Sequence, residues 1–81
     1  SMKTITVKYF AILREQRGLA EESLSTEAAD AQSLYNALQT AHGFTLPVDR
    51  LRAAVNGEFR SWPAPLKDGD EVVFIPPVAG G

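Results

Sequence analysis

The amino-acid sequence predicts an α+β fold in which one main helix lies across one face of a small mixed sheet. Two observations carry this. Short runs rich in β-branched and aromatic residues, several with period two, recur along the chain, and only one long segment shows a helical stripe of apolar residues. The order that results is strand, short helix, strand, long helix, then three strands, so the single long helix must cover the apolar side of the sheet.

Lys3 to Phe10 alternates, with Ile5, Val7 and Tyr9 on one face and Thr4, Thr6 and Lys8 on the other, as in a half-buried strand. Ala11 to Arg17 reads as a short helix stopped at Gly18, and Glu21 to Ser25 as a weaker strand able to pair with the first. Asp30 suits a helix N-cap, where its carboxylate accepts from an otherwise orphan backbone N–H. Ala31, Leu34, Leu38 and Ala41 follow at spacings of three, four and three, and Gly43 supplies a left-handed terminator. His42 falls in the last helical turn, where the helix dipole tolerates positive charge. Phe44 to Leu51, containing Pro47, reads as loop. Ala53–Val55 and Glu58–Arg60 flank Asn56-Gly57, a strong signal for a two-residue hairpin turn. Ser61 to Pro65 is irregular, with Trp62 placed to cover the sheet edge. Asp68-Gly69 turns the chain into Glu71–Ile75, which carries apolar residues on both faces and so reads as an interior strand. Pro76-Pro77 ends it, because neither residue can donate to a ladder.

Composition narrows the function. The 81 residues hold no cysteine and one histidine, so structural zinc, iron–sulfur and thiol-redox sites lack their ligands, and no metal ligand set is assigned. The formal charge of −2, with Lys and Arg scattered, argues against nucleic-acid binding. No run of about 18 apolar residues suits a membrane span and no secretory signal is visible, so cytoplasmic location is the expectation. Ser1 before Met2 has the look of a tag remnant.

The segment Pro76-Pro77-Val78-Ala79-Gly80-Gly81 carries the chemistry. Two prolines favour extended geometry and push the chain away from the body. Glycines without Cβ pass through narrow openings, so the final carboxylate would be unhindered on a thin projecting strand. Gly-Gly alone is a weak motif; directly after an interior strand and two prolines it is stronger. A carboxylate must first become a mixed anhydride, such as an acyl-adenylate made from ATP, before sulfur or an amine can displace the leaving group. The chain offers no P-loop, no cysteine nucleophile and no base other than His42, so other enzymes must act on it. The reading is therefore a globular domain over 2–75 and an extended tail over 76–81.

Leu66-Lys67-Asp68-Gly69-Asp70-Glu71-Val72-Val73-Phe74-Ile75-Pro76-Pro77-Val78-Ala79-Gly80-Gly81 resembles the C-terminus of the small, sulfur-carrier subunits of molybdopterin synthase. Ala53-Ala54-Val55-Asn56, Tyr9-Phe10-Ala11 and Leu13-Arg14-Glu15 are similar to that family too, and the likeness runs nearly end to end. The resemblance implies a ubiquitin-like β-grasp fold. It implies that an activating enzyme using ATP adenylates Gly81, that the product becomes a thiocarboxylate, and that the large synthase subunit uses the sulfur to build the dithiolene of molybdopterin. Pro76, Pro77, Val78, Ala79 and Gly80 would thread into the large subunit, in a heterotetramer of two small and two large subunits, with no cofactor bound to this chain. Catalytic side chains would come from the large subunit.

Phe10 and Ile75 fall on the opposite parity from the core sets Ile5/Val7/Tyr9 and Val72/Phe74, so they and Phe59 are candidates for a partner-docking surface. The register of Phe59 is not fixed by the sequence. Asp68, Asp70 and Glu71, and Arg14 and Arg17, read as solvated. Rival functions are a sulfur carrier for the thiazole of thiamin or for a thiolated tRNA base, and a ubiquitin-like interaction module whose tail is never activated. A free-standing enzyme is disfavoured by the missing nucleophile and ligands.

Overall fold

Seven residues with buried Ile5, Val7 and Tyr9 at every second position form the first strand, β1 (Lys3–Tyr9). In the computed structural model, which describes residues 2–77, it is followed by α1 (Ala11–Arg17), β2 (Glu21–Thr26), α2 (Ala31–His42), a 3₁₀ turn at Val48–Arg50, β3 (Arg52–Val55), β4 (Glu58–Arg60) and β5 (Glu71–Ile75). The sheet order is β2-β1-β5-β3-β4, with β1 and β5 parallel and every other pair antiparallel. The mixed sheet and the element order are those the sequence predicts.

Phe10 lies outside β1, because Ala11 turns the chain with φ 52 and starts α1. α2 is capped as its ends predict: the Asp30 carboxylate accepts from the Ser33 N–H at 2.8 Å, and Gly43 closes it at φ 72. Its buried stripe is Ala31, Leu34, Tyr35 and Leu38; Ala41 is exposed. Phe44, from the segment read as loop, is itself buried and stacks on Tyr35 at 5.9 Å, close to His42.

Tyr35 is the hub between helix and sheet. Its ring meets Phe74 edge-on at 5.2 Å, and its hydroxyl donates to the Leu46 carbonyl at 2.6 Å. Trp62 stacks over Phe74 at 6.2 Å and is half-buried, covering the sheet as expected. Ile5, Val7, Val72, Phe74 and Leu13 are fully buried in the same cluster, and each such side chain contributes about 1.5–3 kcal/mol of transfer free energy.

The ladder pairs sort the sheet into two sides. Val7, Val72, Phe74, Ala53 and Val55 face the helices. Lys8, Val73, Ile75, Arg52, Ala54 and Phe59 share the other side. β5 is interior, as predicted, but its burial is one-sided: Val73 and Ile75 are only half-buried, because both helices send their buried residues to the opposite face.

Candidate functional site: the outer sheet face and the exit of β5

β5 lies between β1 and β3 and is hydrogen-bonded to both, so the chain leaves the sheet at a fixed point. Its start is pinned as well. The Asn56 N–H donates to the Glu71 carbonyl at 2.8 Å, the Glu71 N–H donates to the Asn56 Oδ1 at 2.9 Å, and the Asn56 amide donates to Asp70 at 2.9 Å. Asn56 can do this because it stands at φ 53 in the hairpin turn with Gly57 at φ 85, a pairing that suits a type I′ turn. The other Asp70 oxygen accepts from the Lys67 N–H at 2.7 Å, and the Asp68 carboxylate accepts from the Thr4 N–H at 2.6 Å. The Lys67 N–H and the Asn56 amide hold the Asp70 carboxyl below its usual range. Glu71 pairs with Lys8 at 3.4 Å. The acidic cluster, read from sequence as a solvated turn, does stay in contact with solvent, but its Asp68 and Asp70 carboxylates also clasp the start of β5. Asn56 is a structural residue that sequence reasoning took only as a turn former.

At the other end of β5, Ile75 pairs with Arg52 in the ladder. Phe59 pairs with Ala54, which pairs with Val73, and this fixes its register on the same side of the sheet as Ile75. Phe59 is 65% exposed, and the Arg52 guanidinium lies 5.7 Å from its ring centroid. Leu51, Arg52, Phe59, Ile75, Pro76 and Pro77 line a cleft of about 390 Å³, with Asp49 and Arg50 also on its wall. Phe10 is 50% exposed and follows Tyr9, whose ladder partner is Phe74, so it lies on the β1 side of β5, outside that cleft. Phe59 and Ile75 are brought together; Phe10 flanks them. Pro76 is half-buried and Pro77 exposed. Val78, Ala79, Gly80 and Gly81 lie outside the described residues.

One charged cluster was missed. Arg17, read as solvated, donates through Nε and Nη2 to the two oxygens of Glu22, both at 2.8 Å, and the buried Tyr9 hydroxyl donates to the same carboxylate at 2.6 Å. The Arg17 donors, opposed by burial and helped by the Tyr9 hydroxyl, bring the Glu22 carboxyl down to about 2. Burial, then the hydrogen bond to Glu22, push the Tyr9 hydroxyl well above its ordinary range. The network ties α1 to β1 and β2 just behind Phe10. Among the described residues no group of three His, Cys, Asp or Glu side chains is placed to hold a metal ion, and no helix is long and apolar enough to cross a membrane.

A family model described as the ThiS family matches residues 7–81. The chain belongs to the ThiS family. The Escherichia coli (strain K12) molybdopterin synthase sulfur carrier subunit is 38% identical over 80 residues, 95% of this chain and 99% of that protein. Among solved structures, a complex of subunits 1 and 2 of molybdopterin-converting factor from Helicobacter pylori 26695 contains a similar chain, with 29% identity, a TM-score of 0.63 and full coverage of both chains. A ubiquitin from Caldiarchaeum subterraneum, 18% identical, superposes with a TM-score of 0.65 over the whole of both chains. That likeness shows the fold alone, the ubiquitin-like β-grasp. The ThiS family match runs through Gly80-Gly81, so it takes in the segment that follows β5.

Proposed function

We propose that this chain is the sulfur-carrier subunit of a molybdopterin synthase. A partner activating enzyme transfers the adenylyl group of ATP to the Gly81 carboxylate with release of pyrophosphate. A sulfur nucleophile then displaces AMP and leaves a thiocarboxylate. The outer face, through Phe59, Ile75 and the flanking Phe10, docks the large synthase subunit, and residues 76–81 reach into its pocket and deliver the sulfur that becomes part of the molybdopterin dithiolene. Two small and two large subunits form the working complex, in the cytoplasm. The chain itself supplies the reacting group and its placement, an electrophilic carbonyl carbon as the acyl-adenylate and a nucleophilic sulfur as the thiocarboxylate. The side chains that catalyse each step belong to the partners.

The observation that carries this reading is the exit of β5. An interior strand, clasped at its start by Asn56 and Asp70, releases the chain at Pro76-Pro77 beside an exposed apolar patch, and the family match continues from there to Gly81. A surface that covers Phe59 and Ile75 therefore meets the emerging segment at the same time. The names of the E. coli relative and the H. pylori complex favour the molybdopterin branch over carriers for thiamin thiazole or tRNA thiolation.

The test is intact mass after incubation with the cognate activating enzyme, ATP and a sulfur source. Replacement of one oxygen by sulfur, absent in Gly81→Ala, is the expected result. An unchanged mass with an enzyme competent on another carrier would point instead to a ubiquitin-like module that is never activated. Productive turnover with a thiazole-forming partner, and none with the large synthase subunit, would move the chain to the other branch.

A further inference from the structure

The outer face treats its charges unevenly. On the β1 flank of β5, Lys8 is neutralised by Glu71 at 3.4 Å. On the β3 flank, Arg52 stands beside Ile75 and over the Phe59 ring, and no carboxylate among the described residues lies within salt-bridge distance of it. Arg50 lines the same cleft and is likewise without an ion pair among the described residues, so two guanidinium groups there face the single carboxylate of Asp49. This local excess of positive charge sits on a chain of net charge −2.

The ring restrains the guanidinium, so less side-chain freedom is lost when its donors are engaged. Any surface that covers Phe59 and Ile75 also takes water from Arg52. A desolvated guanidinium left without an acceptor is strongly unfavourable. The covering surface must therefore offer acceptors at that spot, and an anion compensates the charge most fully. The cleft floor of Ile75, Pro76 and Phe59 suits the apolar side chains of a protein surface, and the protein group that meets a guanidinium best is a carboxylate.

We propose that this face docks a protein whose contact surface joins an apolar pocket for Phe59 and Ile75 to a carboxylate that receives Arg52, and that Arg52 selects that partner. The inference rests on the sulfur-carrier reading above, in which the partner is the large synthase subunit.

The experiment is calorimetric titration of the full chain into the cognate large subunit over a range of salt concentrations, using the parent, R52A, R52K and R52E. Arg52 is exposed, so all variants should keep the parent's melting temperature. The expected result is a loss of at least about 30-fold in affinity for R52E, a smaller loss for R52A with a shallower salt dependence, and partial retention in R52K. Parent and R52E binding alike would overturn the inference and leave the proposed function standing. No binding by the parent would overturn the proposed function, and the inference with it. Self-association of the parent that R52E abolishes would make the occupant a second copy of this chain, which also overturns it.

Discussion

Glu22→Gln tests whether the cluster behind Phe10 holds the fold together. The Glu22 carboxylate accepts three hydrogen bonds, from Tyr9 at 2.6 Å and twice from Arg17 at 2.8 Å, and its side chain is only 16% exposed. Those donors lower its pKa from the ordinary 4.5 to about 2. A depression of that size corresponds to a ceiling of about 3 kcal/mol. The Arg17 side chain is 25% exposed, so solvent partly screens the pair, and the working figure is about half the ceiling, roughly 1.5 kcal/mol at neutral pH. In a domain of this size that is about 6–12 °C in melting temperature. Because the folded-state value is depressed, the stabilisation is complete above the ordinary carboxylate value and is lost as pH falls through the folded-state value. The gap between parent and variant should therefore be full at neutral pH, shrink below about pH 4.5 and close near about pH 2. Urea unfolding followed by the fluorescence of Trp62, the single tryptophan, reads this directly because its ring stacks on Phe74. A gap that stays constant from neutral pH to about pH 2.5, or is under about 0.3 kcal/mol at neutral pH, would refute the reasoning.

Other outcomes follow from the same geometry. Asp30→Ala removes the acceptor for the Ser33 N–H and should cost about 1 kcal/mol by thermal unfolding, with Asp30→Ser restoring most of it. Gly43→Ala meets no atom within 4 Å but must hold φ 72, so it should destabilise by about 1 kcal/mol through backbone strain alone, measured by the same melt. Phe59→Ala should leave stability within about 0.5 kcal/mol while weakening binding to the large subunit by about 2 kcal/mol or more in titration calorimetry, the mark of an interface anchor. Gly81→Ala should abolish thiocarboxylate formation by intact mass and leave the melting temperature unchanged.

Much of the fold was legible because its signals are local. The alternation of Ile5, Val7 and Tyr9, the Asp30 and Gly43 caps and the Asn56-Gly57 turn each state their own geometry within a few residues. What stayed hidden depends on register and on chain returns. β4 has three residues, too few to declare a face, so Phe59 was placed only by its pairing with Ala54. Arg17 and Glu22 sit on different elements, and only the antiparallel pairing of β1 and β2 brings Glu22 back beside Tyr9 and α1. Phe44 carries no periodic signal, yet it is buried against Tyr35, while Ala41, which does fit the stripe, is exposed. At the site, parity pointed to Ile75 and Phe10, but the Arg52–Phe59 contact needed two strands in register.

The clasp at Asn56 and Asp70 gives the site its precision. Slippage of β5 by one residue would break the Glu71–Asn56 pair of hydrogen bonds and turn Val72 and Phe74 out of the core, so the position of Ile75 in the sheet is strongly specified. Everything after Ile75 is then measured from a fixed origin. Six residues, 76–81, reach at most about 20 Å when fully extended. A partner docked on Phe59 and Ile75 must therefore hold its reacting groups within that distance of the outer face. An added residue after Gly81 moves the carboxylate by about 3.4 Å, more than a bond-forming geometry tolerates. Such an extension should block sulfur loading as completely as Gly81→Ala while leaving affinity for the large subunit intact. Normal thiocarboxylate formation in the extended chain would show that the length from Ile75 to the carboxylate is not what positions the reaction.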